Sequence, residues 1–206
     1  MKTLIKLTAL TALLAVPALT QGATIVGSPH DLRLGGGSTY AGTSDQTCIY
    51  CHTPHNGLST LIPLWNHPTT ATPTFTLYPS GGTLNAVLGQ PTGASRACLS
   101  CHDGTIAPNS HAAVTGGALM TGSDVLGTDL SNDHPISFTY DVALANADGG
   151  LVAPNADGKS VVTGIPLFNG KLECASCHNV HDNTTASPFL RFSNASSGLC
   201  VKCHNK

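Results

Sequence analysis

The residues of this 206-residue chain best equipped for chemistry are eight cysteines and ten histidines. Their spacing is regular. All eight cysteines fall in four units: CIYCH (48–52), CLSCH (98–102), CASCH (174–178) and CVKCH (200–204). Each pair, Cys48/Cys51, Cys98/Cys101, Cys174/Cys177 and Cys200/Cys203, is followed directly by a histidine. Disulfide frameworks give no reason to place a histidine there four times. A zinc site could use two C-x-x-C pairs, but it leaves the histidines unexplained. Covalent haem needs this pattern. Two sulfurs three positions apart on a short helical turn reach the two vinyl groups of one porphyrin, and the next residue supplies the iron's proximal nitrogen. The expectation is four covalent haem c groups with His52, His102, His178 and His204 as proximal ligands.

Each iron then needs a sixth ligand. Methionine is scarce: Met1 lies in the N-terminal apolar segment and only Met120 remains. Six histidines are left over: His30, His55, His67, His111, His134 and His181. They are enough to make every haem bis-histidine, which gives lower potentials than histidine–methionine ligation. Closed coordination leaves no place for a substrate, so the chemistry expected is electron transfer and not catalysis. His134 and His67 each precede a proline, which biases the backbone toward an extended mount. His30 sits on an arm able to reach across its own chain or into a neighbour. His111, in the polar stretch APNSH, is the least committed of the six, and the expected distal set is His30, His55, His67, His134 and His181. His55 and His181 hold matching places in CHTPH and CHNVH. Two histidines three residues apart lie on one side of a turn and cannot straddle a porphyrin. Each of them, as a ligand, serves a haem other than the one beside it.

The elements that must hold these residues are expected to be slight. Gly, Thr, Ser, Ala and Pro dominate and aromatics make up 5%. Such a chain is thin in the side chains of an ordinary core, and small scaffolds of this kind carry cofactors instead. The expected fold is a mostly irregular, haem-cored multihaem cytochrome c with short helices at the haem sites, a few short strands and long loops. GASRACLSC and SNASSGLCVKC read as capped single turns leading into a site. NADGG (146–150) and NADGK (155–159) are turn signals. KSVVTGIPLF reads as a short strand, and the run into NGKLECASCH as a hairpin.

Residues 1–23 read as an export signal, with Lys2 and Lys6 before a short apolar run and small residues for cleavage. Residues 24–206 are expected to form one tetrahaem domain, its two halves, 24–110 and 165–206, joined by a Gly/Asp/Asn-rich segment. No other stretch is apolar and long enough to suggest a membrane span. Without Lys2 and Lys6, seven basic face eleven acidic residues, a formal charge of −4. That is no footprint for nucleic acid.

In order along the chain, IVGSPHDL, CIYCHTPHNG, PLWNH, RACLSCHDGT, NDHPISFTY, LECASCHNVHD and FLRFSNASSGLCVKCHNK resemble the doubled C-x-x-C-H family of multihaem cytochromes c. Four haems in this layout are similar to extracellular cytochrome filaments of the OmcE type. The resemblance implies bis-histidine ligation throughout and copies of the chain as partners, with one axial histidine passed between adjacent subunits. It also implies other redox proteins as partners, and respiratory electrons delivered to extracellular acceptors from the cell surface. A soluble periplasmic tetrahaem shuttle would carry the same motifs. A multihaem reductase would need one iron with an open sixth position.

Overall fold

The structure is a computed structural model that describes residues 25–58, 61, 64–82, 84–161 and 164–205. The expected export signal and its cleavage site lie outside the described residues. Regular structure is sparse. Among the described residues it comprises helices α1 (Gly93–His102), α2 (Val142–Asp148) and α3 (Cys174–Cys177), strands β1 (Phe138–Thr139) and β2 (Lys171–Leu172), and two 3-10 turns at Ala195–Ser197 and Cys200–Lys202. The mostly irregular fold read from composition is the fold observed.

The Gly/Asp/Asn-rich segment between the second and third units holds packed residues as well as turns. Phe138, Tyr140, Val161, Ile165, Leu167 and Leu172 pack with Ala86 into a small apolar cluster, backed by Phe192 and Leu199. A second cluster gathers Phe75, Leu99 and Leu130. The first is organised by two short strands that meet across a long connection. β1 pairs with β2 antiparallel, Phe138 opposite Leu172 and Thr139 opposite Lys171. Just ahead of β2, Asn169 and Gly170 make a tight turn of their own, with φ of 52° and 74°. Two positive φ values in succession favour the Asn-Gly pair. Phe168 and Lys171 exchange both backbone hydrogen bonds, at 2.9 and 3.0 Å, to close the turn. The hairpin expected into NGKLECASCH is present.

The described residues of KSVVTGIPLF form no named strand. The Val161 amide donates to Ile165 O at 2.8 Å and Gly164 donates back to Val161 O at 2.8 Å. Gly164, at φ 91°, permits that reversal. α2 begins where the Asp141 carboxylate accepts from the Leu144 amide at 2.8 Å and ends at Gly149, φ 71°. NADGG is thus a helix end. α1 is a ten-residue helix, longer than the single turn expected, and its N-cap Thr92 gives no side-chain cap. Glu173, from the far end of β2, caps it instead: its Oε2 accepts from the Ser95 amide at 3.3 Å. α1 and α3 therefore pack together at their starts, and the hairpin is what delivers Glu173 to them.

Candidate haem site

The four C-x-x-C-H units sit in differently named elements but share one backbone turn. His52 donates its amide to Cys48 O at 2.8 Å, His178 to Cys174 O at 3.0 Å and His204 to Cys200 O at 3.0 Å. Cys98 and His102 are the same four residues apart inside α1. All eight thiols are free. Burial first, then the neighbouring Cys48, pushes the Cys51 thiol up to about 11. Burial, with Cys203 second, takes Cys177 to about 11 as well. Thiols so shifted stay protonated at neutral pH, unlike the thiolates of a zinc site or a reactive cysteine. Among the described residues, no three or more Cys, His, Asp or Glu side chains converge as a metal cage would require.

The units follow one another in space as they do in sequence. The hydrogen bond that Cys98 donates to Cys174 is the first cause of the raised Cys98 thiol, with burial second. Cys51 acts on both Cys98 and Cys101, and Cys203 on Cys177. The second and third units touch directly, with the first and fourth flanking them.

Histidines are arranged in twos. The ring of His52 lies 6.1 Å from that of His181, the planes 19° apart. His102 lies 6.0 Å from His30, at 70°. His204 lies 6.4 Å from His134, at 72°. Two metal–nitrogen bonds of about 2 Å, plus the distance from each nitrogen to its ring centre, put imidazoles on opposite sides of one iron about 6 Å apart, centre to centre. Each of the three pairs joins one attachment histidine to one surplus histidine. None joins two residues of the same unit. His181 therefore stands across from the first unit and not the third, as its position in CHNVH required.

Backbone carbonyls orient several of these rings. His102 Nδ1 lies 2.7 Å from Asp124 O, His178 Nδ1 2.9 Å from Pro188 O and His134 Nδ1 2.9 Å from Pro135 O. With Nδ1 tied to an acceptor, Nε2 is the nitrogen left for a metal, the usual outer-shell device for a ligating imidazole. His30 is held neutral. Burial first, then the charges of His102, His178 and His181, lowers it to about 4. A neutral imidazole is the form that binds iron. His181 is lowered too, by burial and then by His52.

The remaining histidines differ. His67 is buried, its Nδ1 2.7 Å from Pro68 O and its Nε2 3.1 Å from Ala107 O and 3.4 Å from Cys101 Sγ, which sets it beside the second cysteine pair. His111 is also buried, its ring edge-on to Tyr50 at 4.8 Å. The histidine left out of the expected distal set is thus a packing residue. His55 is exposed on a loop with Leu58, and its ring joins none of the pairs. On the attachment side, His178 is likewise the one not matched across about 6 Å by a second imidazole among the described residues.

A polar-edged prosthetic group fits this neighbourhood. Of the buried side-chain atoms left without a hydrogen-bond partner among the described residues, two belong here: His30 Nδ1 and Trp65 Nε1. The Trp65 ring stands 6.4 Å from that of His52. Three acidic residues near the sites escaped the motif reading. Asp31 follows His30 and receives Arg33 Nε at 2.9 Å and the Gly27 amide at 2.8 Å. Asp103 follows His102 and accepts from Thr70 and Thr72. Glu173 precedes Cys174. Its signature was in the sequence, a Glu with Ser three residues on, and the two form a reciprocal capping box.

Residues 166–206, which hold the last two units, match the family model for the doubled CXXCH motif. No curated protein matches the chain. The motif indicates covalently bound c-type haem and, with it, electron transfer.

Proposed function

We propose that this chain is an electron carrier binding four haem c groups, one per C-x-x-C-H unit, each iron held by two histidines, and that it works as the repeating subunit of a polymer outside the cytoplasm. The observation that carries the reading is the pairing of His52 with His181, His102 with His30 and His204 with His134 at 6.0–6.4 Å. When bound, the haems supply one-electron chemistry, each iron alternating between its ferric and ferrous forms. The chain's own residues do the rest. The cysteine pairs fix four porphyrins in a row, the carbonyl-bound imidazoles orient the ligands, and burial keeps His30 in its binding form.

The polymer follows from the leftover members. His178 has no imidazole opposite it among the described residues, and His55 is exposed without joining a pair. His55 of a neighbouring copy, completing the iron at His178, would give every subunit four closed haems and continue the row across the junction. Other redox proteins would load this row and extracellular acceptors would drain it. The same observation favours a second reading, in which the iron at His178 stays open and binds a small oxyanion as a reductase would. Carbon monoxide separates the two. Native assemblies that contain four haems per chain and bind none after reduction support the carrier. Binding at one haem per chain in those assemblies would favour the reductase. Electron microscopy of the secreted fraction tests the polymer: dispersed small particles alone would count for the soluble shuttle.

A further inference from the structure

Glu173 is 2% exposed and lies at the joint between α1 and α3, the helices that carry the second and third cysteine pairs. Its carboxylate meets only donors. Thr92 Oγ1 donates to Oε1 at 3.3 Å, and Ser137 Oγ donates to Oε2 at 2.8 Å. Oε2 also takes the Ser95 hydroxyl and the Ser95 amide, the latter at 3.3 Å. The Glu173 backbone is held too, its amide donating to Ser176 Oγ at 3.0 Å and its carbonyl accepting from the Ser176 amide at 2.8 Å. Donors on every side fit the charged carboxylate and not the acid. No basic side chain makes an ion pair with it among the described residues. The nearest cation shown is one hydroxyl away, where Lys171 Nζ donates to Thr92 Oγ1 at 3.1 Å. The Ser95 hydroxyl that binds Glu173 also accepts the Cys174 amide at 2.9 Å, and Cys174 contacts Cys98.

We propose that Glu173 is a built-in potential-setting charge, a buried anion that makes the haems attached at Cys98/Cys101 and Cys174/Cys177 easier to oxidise than the haem at Cys200/Cys203. A ferric haem carries one more positive charge than a ferrous one, so a fixed neighbouring anion favours the ferric form. The effect is strong where water is excluded. The fourth unit is placed differently: it contains Lys202, whose ammonium lies 4.6 Å from the centre of the Phe192 ring, and no acidic residue occurs in 199–206. The row thus has a step in driving force between its middle and its C-terminal end. This rests on the haem reading proposed above.

Spectroelectrochemical titration of the full, haem-loaded protein tests it, with haem content per chain measured first. A wild-type chain without haem would overturn the underlying reading, independently of any variant. In Glu173→Gln, which keeps the shape and removes the charge, two of the four midpoints should rise by at least a tenfold change in the reduction equilibrium, about 59 mV for one electron. Glu173→Asp, which keeps the charge and alters the shape, should leave them within threefold. Unchanged midpoints in a fully loaded Glu173→Gln protein overturn the proposal, as does an Asp variant that shifts like the Gln variant. If Glu173→Gln fails to load, Lys171→Gln serves instead: losing the nearby cation should lower the same two midpoints, and no change there overturns the proposal.

Discussion

CHTPH and CHNVH share a pattern, yet the fold uses them differently. In CHNVH, His181 stands parallel to His52 at 6.1 Å, tying the end of the chain to its beginning. In CHTPH, His55 is exposed beside Leu58 and completes no pair. The surroundings explain the difference. CHNVH follows β2, which is anchored by the pairing of Phe138 with Leu172 in an apolar cluster, and α3 is locked to α1 through Glu173. CHTPH sits on a loop closed by backbone bonds around Trp65, where Leu58 donates its amide to Trp65 O at 2.8 Å. One histidine is set for use within the subunit and the other is presented outward.

The sharpest way to break this comparison is to remove each ring. His181→Ala should turn one haem of every isolated subunit high-spin at any protein concentration, as read by absorption and electron paramagnetic resonance. His55→Ala should leave the isolated subunit's spectrum unchanged and abolish polymers in negative-stain images. Identical behaviour of the two variants would erase the distinction.

The next largest effect tests the anchoring. Ile165, 1% exposed in the apolar cluster, should cost about 2–5 kcal/mol on truncation to Ala, measured by denaturant unfolding of the loaded protein. Such a loss would show that the half bearing CHNVH has protein packing of its own besides haem.

Acid sharpens the comparison further. Burial holds His30 at about 4, below the ordinary value of about 6.5. The unfolded state therefore takes up a proton that the folded state refuses. Stability from this group is complete above about pH 6.5 and declines between about 6.5 and about 4. The haem-free chain should unfold at lower denaturant concentration at pH 5 than at pH 7, and His30→Phe should flatten that dependence.

The smallest effect is local. Asp141→Ala removes the cap of α2 and should cost about 1 kcal/mol in thermal unfolding, with no change in haem spectrum.

The attachment chemistry was legible because it is local: two sulfurs and an imidazole on one turn need a fixed spacing, and four copies with no cysteine left over define it. The Asn169-Gly170 hairpin was legible for the same reason. The distal partners were not. Which ring faces which is a tertiary matter, and spacing could say only that His55 and His181 face away from their own haems. The apolar cluster was hidden because its members are scattered singly among turns, Val161 and Ile165 on either side of a reversal, with no period of 2 or 3.6 to mark them. The burial of His111 was hidden too, because it depends on what folds over the residue, here Tyr50.

The His52–His181 pair also sets an order in time. His30 precedes His102 and His134 precedes His204, so two units find their opposite imidazole already synthesised. The first unit does not. His52 emerges early, and its counterpart arrives only after the third unit has been made. Bringing such distant positions together carries a loop-closure cost that the intervening folded segments reduce. Closing the first site therefore reports that the chain has been made and folded through the third unit.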